Sequence, residues 1–320
     1  MMGPEALRWL VWMLVALPLV AGCATSLAAS GRVSWTAEAV CASRAIGAKH
    51  PDPKVRNPDY LAERFVSDAF WRHYAYPNDY DRARAIMDRW GAPVYFFVNA
   101  RTHHIDALLI EAADAEITQV VNLGAGFDSR ALRFGERFPR VRFYELDLPA
   151  MIKAKRERVV EIRGAVPDHL VLVPTDFNTQ PLAEVLRAAG YDHTRRTFFI
   201  WEGVTMYLPE EANRATLRFI GSAAPGSSVV YDYSLDAALR PDGGGLYGAR
   251  STVETVARYG EPHIFGWSQA GAAAFAAAEG LALVSDLGPI ELTARYLMGS
   301  DGKPDGRIAE FARIIHVRVP

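Results

Sequence analysis

The chain has 320 residues, half of them hydrophobic, and a net charge of −2 from 35 basic and 37 acidic side chains. This composition suits one large α/β domain with an added cap and supplies a sizeable core. The balanced charge, with no basic stripe, argues against a nucleic-acid partner and favours a small-molecule substrate. Only two cysteines occur, Cys23 and Cys41, and no Cys/His group has zinc-site spacing. The sequence therefore predicts neither a disulfide framework nor a metal site.

Residues 1–30 differ in character from the rest of the chain. An apolar run from Leu10 to Val20 follows Arg8 and leads into Cys23. The run is too short to span a bilayer comfortably and suits the core of a signal peptide. It is similar to a bacterial lipoprotein signal in which Cys23 carries the lipid. Two interpretations stay open: an export or anchor signal, and an extension without function.

Helical patterns dominate residues 34–115, which we interpret as an N-terminal helical cap. Helices are expected at 35–49, 81–90 and 94–111, with a shorter one that begins near Asp59. The aromatic run 71–80 fits either core packing or the wall of a pocket. The main domain is expected to comprise residues 31–320, including this cap.

Short apolar runs then alternate with helical segments. This alternation predicts a doubly wound, mostly parallel sheet whose strands are covered on both faces. Seven strands are expected, at 120–123, 141–146, 170–174, 197–201, 228–233, 281–285 and 314–319.

The first strand runs into the glycine-rich turn Gly124-Ala125-Gly126. Ligands of such sheets bind outside the carboxyl ends of the strands, and glycines let the backbone approach them closely. Asp147 ends the second strand, 147 − 126 = 21 residues after Gly126. That spacing is close to the roughly 20 residues expected for a ribose-binding acid. The two segments predict a nucleoside-binding crevice.

The identity of the nucleoside is indicated by departures from the dinucleotide pattern. The third glycine position is Ser129, and Asp128 would repel a pyrophosphate at the start of the following helix. S-adenosylmethionine has no phosphate and carries a sulfonium and an ammonium. The pattern therefore favours this cofactor over a nicotinamide dinucleotide. A plain strand-turn-helix corner capped by Asp128 is the alternative.

Three ordered segments carry a family resemblance: NLGAGFDSR at 122–130, YELDLP at 144–149 and WEGVTMYLP at 201–209. From about Ser34 to the C-terminus the chain resembles the leucine carboxyl methyltransferase family, whose bacterial branch includes polyketide O-methyltransferases. The resemblance implies a class I, Rossmann-like methyltransferase sheet with an antiparallel last strand. It also implies S-adenosylmethionine-dependent methyl transfer to a carboxylate or phenolic hydroxyl of a small metabolite.

The strand ends supply the candidate cofactor residues. Gly124, Ala125 and Gly126 are expected to form the floor, and Asp147 with the adjacent Leu148 to hold the ribose. Asp128 belongs to the acidic rim. We expect Asp176 to accept from the adenine amino group while Phe177 covers the ring, with a helix-capping Asp176 as the alternative. The resemblance assigns Arg101 to the methionine carboxylate, with a surface salt bridge as the alternative, and Glu202 to the ammonium. Glu202 and Tyr207 are the candidates for the reaction itself, and Tyr207 either points into the acceptor pocket or packs beneath it.

The acceptor decides whether a general base is needed. A carboxylate is already ionised at neutral pH, whereas a phenol needs help to lose its proton. His73, His103 and His263 lie in no recognised motif, which favours carboxyl methylation. Arg250, Arg295 and Tyr296 are candidates to receive an anionic acceptor. The glycine-rich segment 241–248 fits either a mobile lid or a surface connection.

Two other classes of function remain open. One is a non-catalytic, membrane-anchored lipoprotein that keeps the fold as a binding module, supported by Cys23. The other is a nicotinamide-dependent oxidoreductase, which Asp128 and Ser129 disfavour. Because the cofactor is made in the cytosol, its supply favours a cytoplasmic catalytic domain, with membrane contact only through residues 1–30 if they are retained.

Overall fold

The computed structural model describes residues 32–74, 80–176 and 179–320. Within these ranges four helices precede the sheet: α1 (Trp35–Gly47), α2 (Asp68–Tyr74), α3 (Tyr80–Trp90) and α4 (Ala92–Asp114). A 3-10 turn at Ala62–Phe65 replaces the short helix expected near Asp59. Ser34 caps α1, since its Oγ accepts the backbone N–H of Ala37 at 3.1 Å. The division into a leader segment and a main domain stays a prediction.

The seven predicted strands are all present, with ends shifted by at most two residues. They are β1 (Gln119–Leu123), β2 (Arg142–Asp147), β3 (Leu170–Pro174), β4 (Thr197–Trp201), β5 (Ser228–Ser234), β6 (Ala282–Leu287) and β7 (Ala312–Arg318). Their order in the sheet is β3-β2-β1-β4-β5-β7-β6. Strand β7 runs antiparallel to both of its neighbours, β5 and β6, and the other pairs of strands are parallel. The predicted class I, doubly wound fold is confirmed.

The remaining helices cover the two faces of the sheet. They are α5 (Arg130–Phe134), α6 (Pro149–Arg163), α7 (Leu182–Ala188), α8 (Glu210–Gly221), α9 (Ala249–Arg258), α10 (Gln269–Ala278) and α11 (Pro289–Tyr296). None of the helices in the described ranges is long and apolar enough to cross a membrane.

Successive residues of each strand enter different hydrophobic cores because strand side chains alternate between faces. Val120 and Phe143 pack into the core that also receives the N-terminal helices. Their neighbours Val121 and Tyr144 pack into the core on the opposite face. Burial on both faces explains why the central strands read as continuous apolar runs. Polar function is thereby confined to the strand ends.

Candidate active site

The glycine turn after β1 has a backbone that only glycine adopts easily. Gly124 has φ +72° and Gly126 has φ +44°. The N–H groups of Gly124 and Ala125 both donate to the carbonyl of Leu146, at 2.8 and 2.9 Å. A Cβ on Gly124 would collide with the side chain of Val204. The turn is therefore pinned to the end of β2 and leaves no room for a side chain at its first glycine.

Asp147 holds the other side of this turn. Its Oδ2 accepts the N–H of Gly126 at 2.6 Å, and its Oδ1 accepts the N–H of Leu148 at 2.7 Å. Burial raises the pKa of the Asp147 carboxyl, against the lowering effect of these two hydrogen bonds. Each oxygen keeps a second lone pair, so the carboxylate can still accept from ribose hydroxyls.

A buried ion pair lies beneath the turn. Lys155 on α6 places its Nζ 2.6 Å from Glu145 Oε2, and the same Nζ donates to the carbonyl of Ala125 at 3.3 Å. Burial raises the pKa of Glu145 to about 7, although Lys155 opposes this. Sequence reasoning missed this pair; a lysine inside a helix that packs on the sheet was the available signal.

Arg101 and Glu202 meet in a buried network of charges. Arg101 Nη2 lies 2.9 Å from Glu202 Oε1, and Arg101 Nη1 donates to Asp232 Oδ2 at 2.6 Å. Glu202 Oε2 accepts from Arg130 Nη1 at 2.7 Å. Burial would raise the pKa of Glu202, but Arg101 and Arg130 hold it below its ordinary value. Glu202 therefore stays ionised within this network.

Two members of the network escaped the sequence analysis. Asp232 lies near the end of β5, and its Oδ1 also accepts the N–H of Gly203 at 2.6 Å. Arg130 starts α5 and pairs with three carboxylates, those of Asp106, Asp128 and Glu202. A carboxylate near the end of the strand beside β4 would have pointed to Asp232. Nothing local in the sequence marks Arg130 as buried.

The predicted role of Asp128 as a bare negative charge was wrong. Its carboxylate is paired with the Arg130 guanidinium and accepts the Arg130 N–H at 2.6 Å. Burial opposes ionisation, yet Arg130 keeps the pKa of Asp128 well below its usual value. The alternative of a helix-start acceptor therefore describes part of what Asp128 does. Much of the repulsion that we expected toward a pyrophosphate is cancelled by this partner.

A cavity of about 730 Å³ runs along the carboxyl edge of the sheet, well within the ~300–1,000 Å³ range of ligand pockets. All but one of the residues predicted for the cofactor and the reaction line it: Arg101, Gly124, Ala125, Gly126, Asp128, Asp147, Leu148, Asp176, Glu202 and Tyr207. Phe177 lies outside the described residues. The individual roles assigned to these residues stay predictions.

Asp176 is not the cap of the following helix. Helix α7 begins at Leu182, with Pro181 as its N-cap residue. The Asp176 carbonyl instead accepts the N–H groups of Thr179 and Gln180 at 3.1 and 3.0 Å. This turn sets Asp176 at the β3 end of the cavity.

Tyr207 and His263 lie side by side in the cavity wall. Their rings meet edge to face with centroids 5.1 Å apart, and both line the cavity. Burial lowers the pKa of His263 to about 4 and raises that of Tyr207, so both are neutral at pH 7. The other proposed bases differ: His103 stacks on Tyr296 away from the cavity lining, and the side chain of His73 lies outside the described set.

The three residues proposed to receive an anionic acceptor were chosen wrongly. Arg250, Arg295 and Tyr296 do not line the cavity. The Arg250 side chain, 70% exposed, pairs with Glu254 on the surface of α9. The Tyr296 hydroxyl lies 2.9 Å from His104 Nδ1, where α11 packs on α4. Their place in the sequence, near the C-terminal strands, did not predict which way these helices face.

The glycine-rich segment 241–248 leads into part of the cavity wall. Gly243–Gly245 forms a 3-10 turn in which Asp242 accepts the N–H of Gly244 at 2.9 Å. The glycines themselves do not line the cavity, but Thr252, Thr255 and Val256 of α9 do. Helix α9, which follows this segment, therefore contributes to the cavity wall, and the glycine turn does not.

Helix α1 packs against the glycine turn and the residue that follows it. Arg44 donates from Nη2 to the carbonyl of Phe127 at 2.7 Å and from Nε to Asp59 at 2.9 Å. Ala37 lies near enough for ordinary contact with a Cβ placed on Gly126. The N-terminal cap therefore completes the cavity, in addition to covering the sheet.

Known proteins of similar sequence include methyltransferases. The leucine carboxyl methyltransferase family matches residues 37–221. A protein of Mycolicibacterium smegmatis named as an S-adenosyl-L-methionine-dependent methyltransferase is 37% identical over 205 residues, which cover 63% of this chain and 67% of the relative. A similarly named protein of Mycobacteroides abscessus is 36% identical over 231 residues, 70% of each chain.

Among solved structures, the magnesium protoporphyrin IX methyltransferase of Synechocystis with bound SAH superposes with a TM-score of 0.45 at 13% identity. The match covers 70% of this chain and 86% of that one.

The family match covers more than half of the chain, and the strand ends hold the residues on which the resemblance rests. The chain belongs to the leucine carboxyl methyltransferase family, and the predicted enzyme class, an S-adenosylmethionine-dependent methyltransferase, is confirmed.

Proposed function

We propose that this enzyme is an O-methyltransferase that acts on a small molecule bearing a carboxylate or a hydroxyl. The observation that carries the proposal is a cavity whose lining includes both the glycine turn and the Tyr207–His263 pair. One pocket thus offers space for a nucleoside and for an acceptor beside it. Methyl transfer requires such alignment more than it requires acid or base chemistry, because positioning alone supplies a large share of the rate.

The residues at the glycine turn fit the cofactor. A side chain on Gly124 would fill the space next to Val204, whereas the bare backbone leaves it open. Asp147 is positioned for ribose hydroxyls. Arg101 Nε is buried and has no hydrogen-bond partner among the described residues. When bound, the cofactor supplies a methyl group on a positively charged sulfur.

The protein's own contribution is position and exclusion of water. Asp147 and the glycine turn would fix the nucleoside, and the Arg101–Glu202 pair would fix the amino-acid end. Helices α1 and α9 would keep bulk water from the reacting groups. Glu202 is engaged by two arginines, which makes it a positioning residue in this proposal instead of a base.

The test is isothermal titration of the full chain with S-adenosylhomocysteine, followed by transfer of labelled methyl to a panel of carboxylic acids and phenols. We expect saturable binding and a labelled product. A base-labile product identifies an ester, and a stable one an ether. A folded protein that binds no S-adenosylhomocysteine would rule the proposal out.

The location of the enzyme is a separate proposal. Cys23 and the rest of the lipoprotein-like segment lie outside the described residues. We propose that the catalytic domain works in the cytoplasm, where the cofactor is made. Incorporation of labelled palmitate at Cys23, abolished by Cys23→Ser, would instead establish a lipid anchor.

A further inference from the structure

The cavity has two ends that differ in chemistry. Asp176, Asp147 and Gly124 lie at the ends of β3, β2 and β1, whereas Ser234 and Ala312 lie at the ends of β5 and β7. From β2 to β5 there are three steps in the sheet order. At about 4.8 Å per step these strand ends are about 14 Å apart. The β5 side is therefore the place for an acceptor when the nucleoside lies at the β2 side.

The walls near the acceptor are apolar. Helices α2, α3, α4 and α9, with the residue before β7, contribute Phe70, Met87, Val94, Phe97, Val256 and Phe311. Such a surface favours a ligand with a large apolar body, because each Å² of apolar surface removed from water contributes about 25 cal/mol.

The charges that line the cavity disfavour an anionic acceptor. The described lining includes three arginines, Arg32, Arg44 and Arg101, against six carboxylates. Two of these arginines already form close salt bridges, Arg101 with Glu202 and Asp232, and Arg44 with Asp59. Arg130 does not line the cavity but pairs with Asp128 and Glu202; the six carboxylates still outnumber the four arginines, so a second carboxylate would meet a net negative surrounding. A neutral hydroxyl avoids this cost but must lose a proton.

Four of the lining carboxylates are engaged by donors of the protein. Glu202 and Asp232 are held by Arg101, and Asp128 by Arg130. Glu261 accepts from the first turn of α1. Oxygens of these carboxylates are thus already occupied by donors of the protein.

His263 is different. It lines the cavity beside Tyr207, and its Nδ1 is sealed from solvent without a hydrogen-bond partner among the described residues. The other ring nitrogen, Nε2, is the one left to receive a proton from a ligand bound in this cavity. A neutral imidazole with an open nitrogen can accept a proton from a bound hydroxyl.

We propose that His263 is the general base of this enzyme and that its acceptor is an aromatic hydroxyl on a largely apolar molecule. This inference rests on the proposed function and replaces the carboxyl acceptor favoured by the sequence. The hydroxyl proton passes to Nε2 of His263 as the acceptor oxygen uses a lone pair to bond the methyl carbon. The carbon–sulfur bond breaks, its electron pair stays on sulfur as a neutral thioether, and His263 then releases the proton to water.

The experiment compares 2-naphthol with 2-naphthoate, which share one apolar body and differ in the reacting group. Wild-type enzyme, His263→Gln and His193→Gln are used. His193 is the control because it is exposed on the turn before β4, at the amino ends of the strands and not at the carboxyl ends that line the cavity. We expect tighter binding of 2-naphthol than of 2-naphthoate to the wild-type complex with S-adenosylhomocysteine. We also expect a base-stable methyl ether, and a kcat roughly 10²–10⁴-fold lower in His263→Gln. His193→Gln is expected to match wild type.

Two readouts separate a base from a merely structural residue. S-adenosylhomocysteine should bind His263→Gln as tightly as it binds wild type. A dinitronaphthol, which is already ionised at neutral pH, should show little loss in the variant because it needs no base.

Three results would overturn the inference in protein that still binds S-adenosylhomocysteine. They are preferred binding or esterification of 2-naphthoate, no turnover of 2-naphthol by wild type, and equal losses for both naphthols in His263→Gln. Esterification would leave the proposed O-methyltransferase function standing. Failure to bind S-adenosylhomocysteine at all would instead defeat that function.

Discussion

Glu261 accepts the backbone N–H of Trp35 at 2.8 Å, across a separation of 226 residues in the chain. The same carboxylate accepts from the hydroxyls of Ser34 and Thr36. A carboxylate at a helix N-terminus satisfies N–H groups that the helix leaves unpaired and interacts favourably with its dipole. The contact joins the segment after α9 to the start of α1, the two elements that cover the cavity.

We expect Glu261→Gln to loosen this cover. The amide places an NH₂ donor among groups that donate, so about 1.5–3 kcal/mol of charged hydrogen bonding is lost. Amide hydrogen exchange over residues 35–41 should become faster, and S-adenosylhomocysteine should bind more weakly. Glu254→Gln on the exposed face of α9 is the control and should change neither. Unchanged exchange in Glu261→Gln would show that the contact does not hold α1.

Asp147→Asn tests the ribose contact and the glycine turn together. In asparagine only one of the two terminal atoms is an oxygen, so it can accept from Gly126 or from Leu148. The NH₂ group then faces the other backbone N–H, to which it cannot bond. Loss of a charged hydrogen bond, about 1.5–3 kcal/mol, predicts roughly 10- to 100-fold weaker binding of S-adenosylhomocysteine by calorimetry. Asp168→Asn, at an exposed position, is the control. Wild-type affinity in Asp147→Asn would place the ribose elsewhere.

Asp232→Asn tests the buried charge network. Arg101 then keeps Glu202 as its carboxylate partner but loses the charge of the closer one. Removing one partner from a buried pair costs about 3–5 kcal/mol, which urea unfolding measures. The surface pair of Arg84 with Asp88 offers a comparison: Asp88→Asn should cost less than about 1 kcal/mol. Equal effects of the two substitutions would mean that the buried network adds nothing.

Lys155→Met tests the ion pair beneath the glycine turn. Glu145 then lacks its nearest cation, so the effect of burial is less opposed and its folded-state pKa rises further above the unfolded value. A raised carboxyl pKa means that the folded state binds the proton more tightly. The stability that the variant loses relative to wild type should therefore be smallest at acid pH and should grow as the pH rises from the unfolded pKa through the folded pKa of Glu145.

A second substitution isolates the pair. Lys155→Met combined with Glu145→Gln removes both charges. The double variant should recover much of the lost stability and should no longer show the unusual pH dependence of Lys155→Met. A pH-independent loss in Lys155→Met alone would contradict this account.

Acid lability is expected from three histidines, His104, His263 and His316. Burial lowers the pKa of each to about 4, against an unperturbed value near 6.5. Between these two pH values the unfolded chain binds protons that the folded protein does not. The free energy of unfolding should therefore fall as the pH drops from about 6.5 to about 4. Thermal melts across this window should show a Tm loss of several degrees.

A variant sharpens the acid-lability prediction. His316 has two buried ring nitrogens without a hydrogen-bond partner among the described residues. His316→Phe should flatten the acid slope, whereas the exposed His193→Phe should not change it. A slope that survives in His316→Phe would assign the lability to other groups.

The sequence by itself determined the strands, their mostly parallel arrangement and the family. Short apolar runs ended by glycine or carboxylate report burial on both faces and a ligand edge, and those are local properties. The same local logic predicted Gly124, Gly126 and Asp147 at the cavity. It also placed Glu202 there, because a residue that follows a strand must emerge at the carboxyl edge.

Only the tertiary structure decided which charges face each other. Asp128 was counted as a bare charge because its partner Arg130 is oriented by packing against Asp106 and Glu202. Glu261 and Trp35, or Lys155 and Ala125, are brought together by the folding of distant segments. His263 gains its place beside Tyr207 in the same way. Burial and neighbours set the charge state of each group, and both are properties of the assembled molecule.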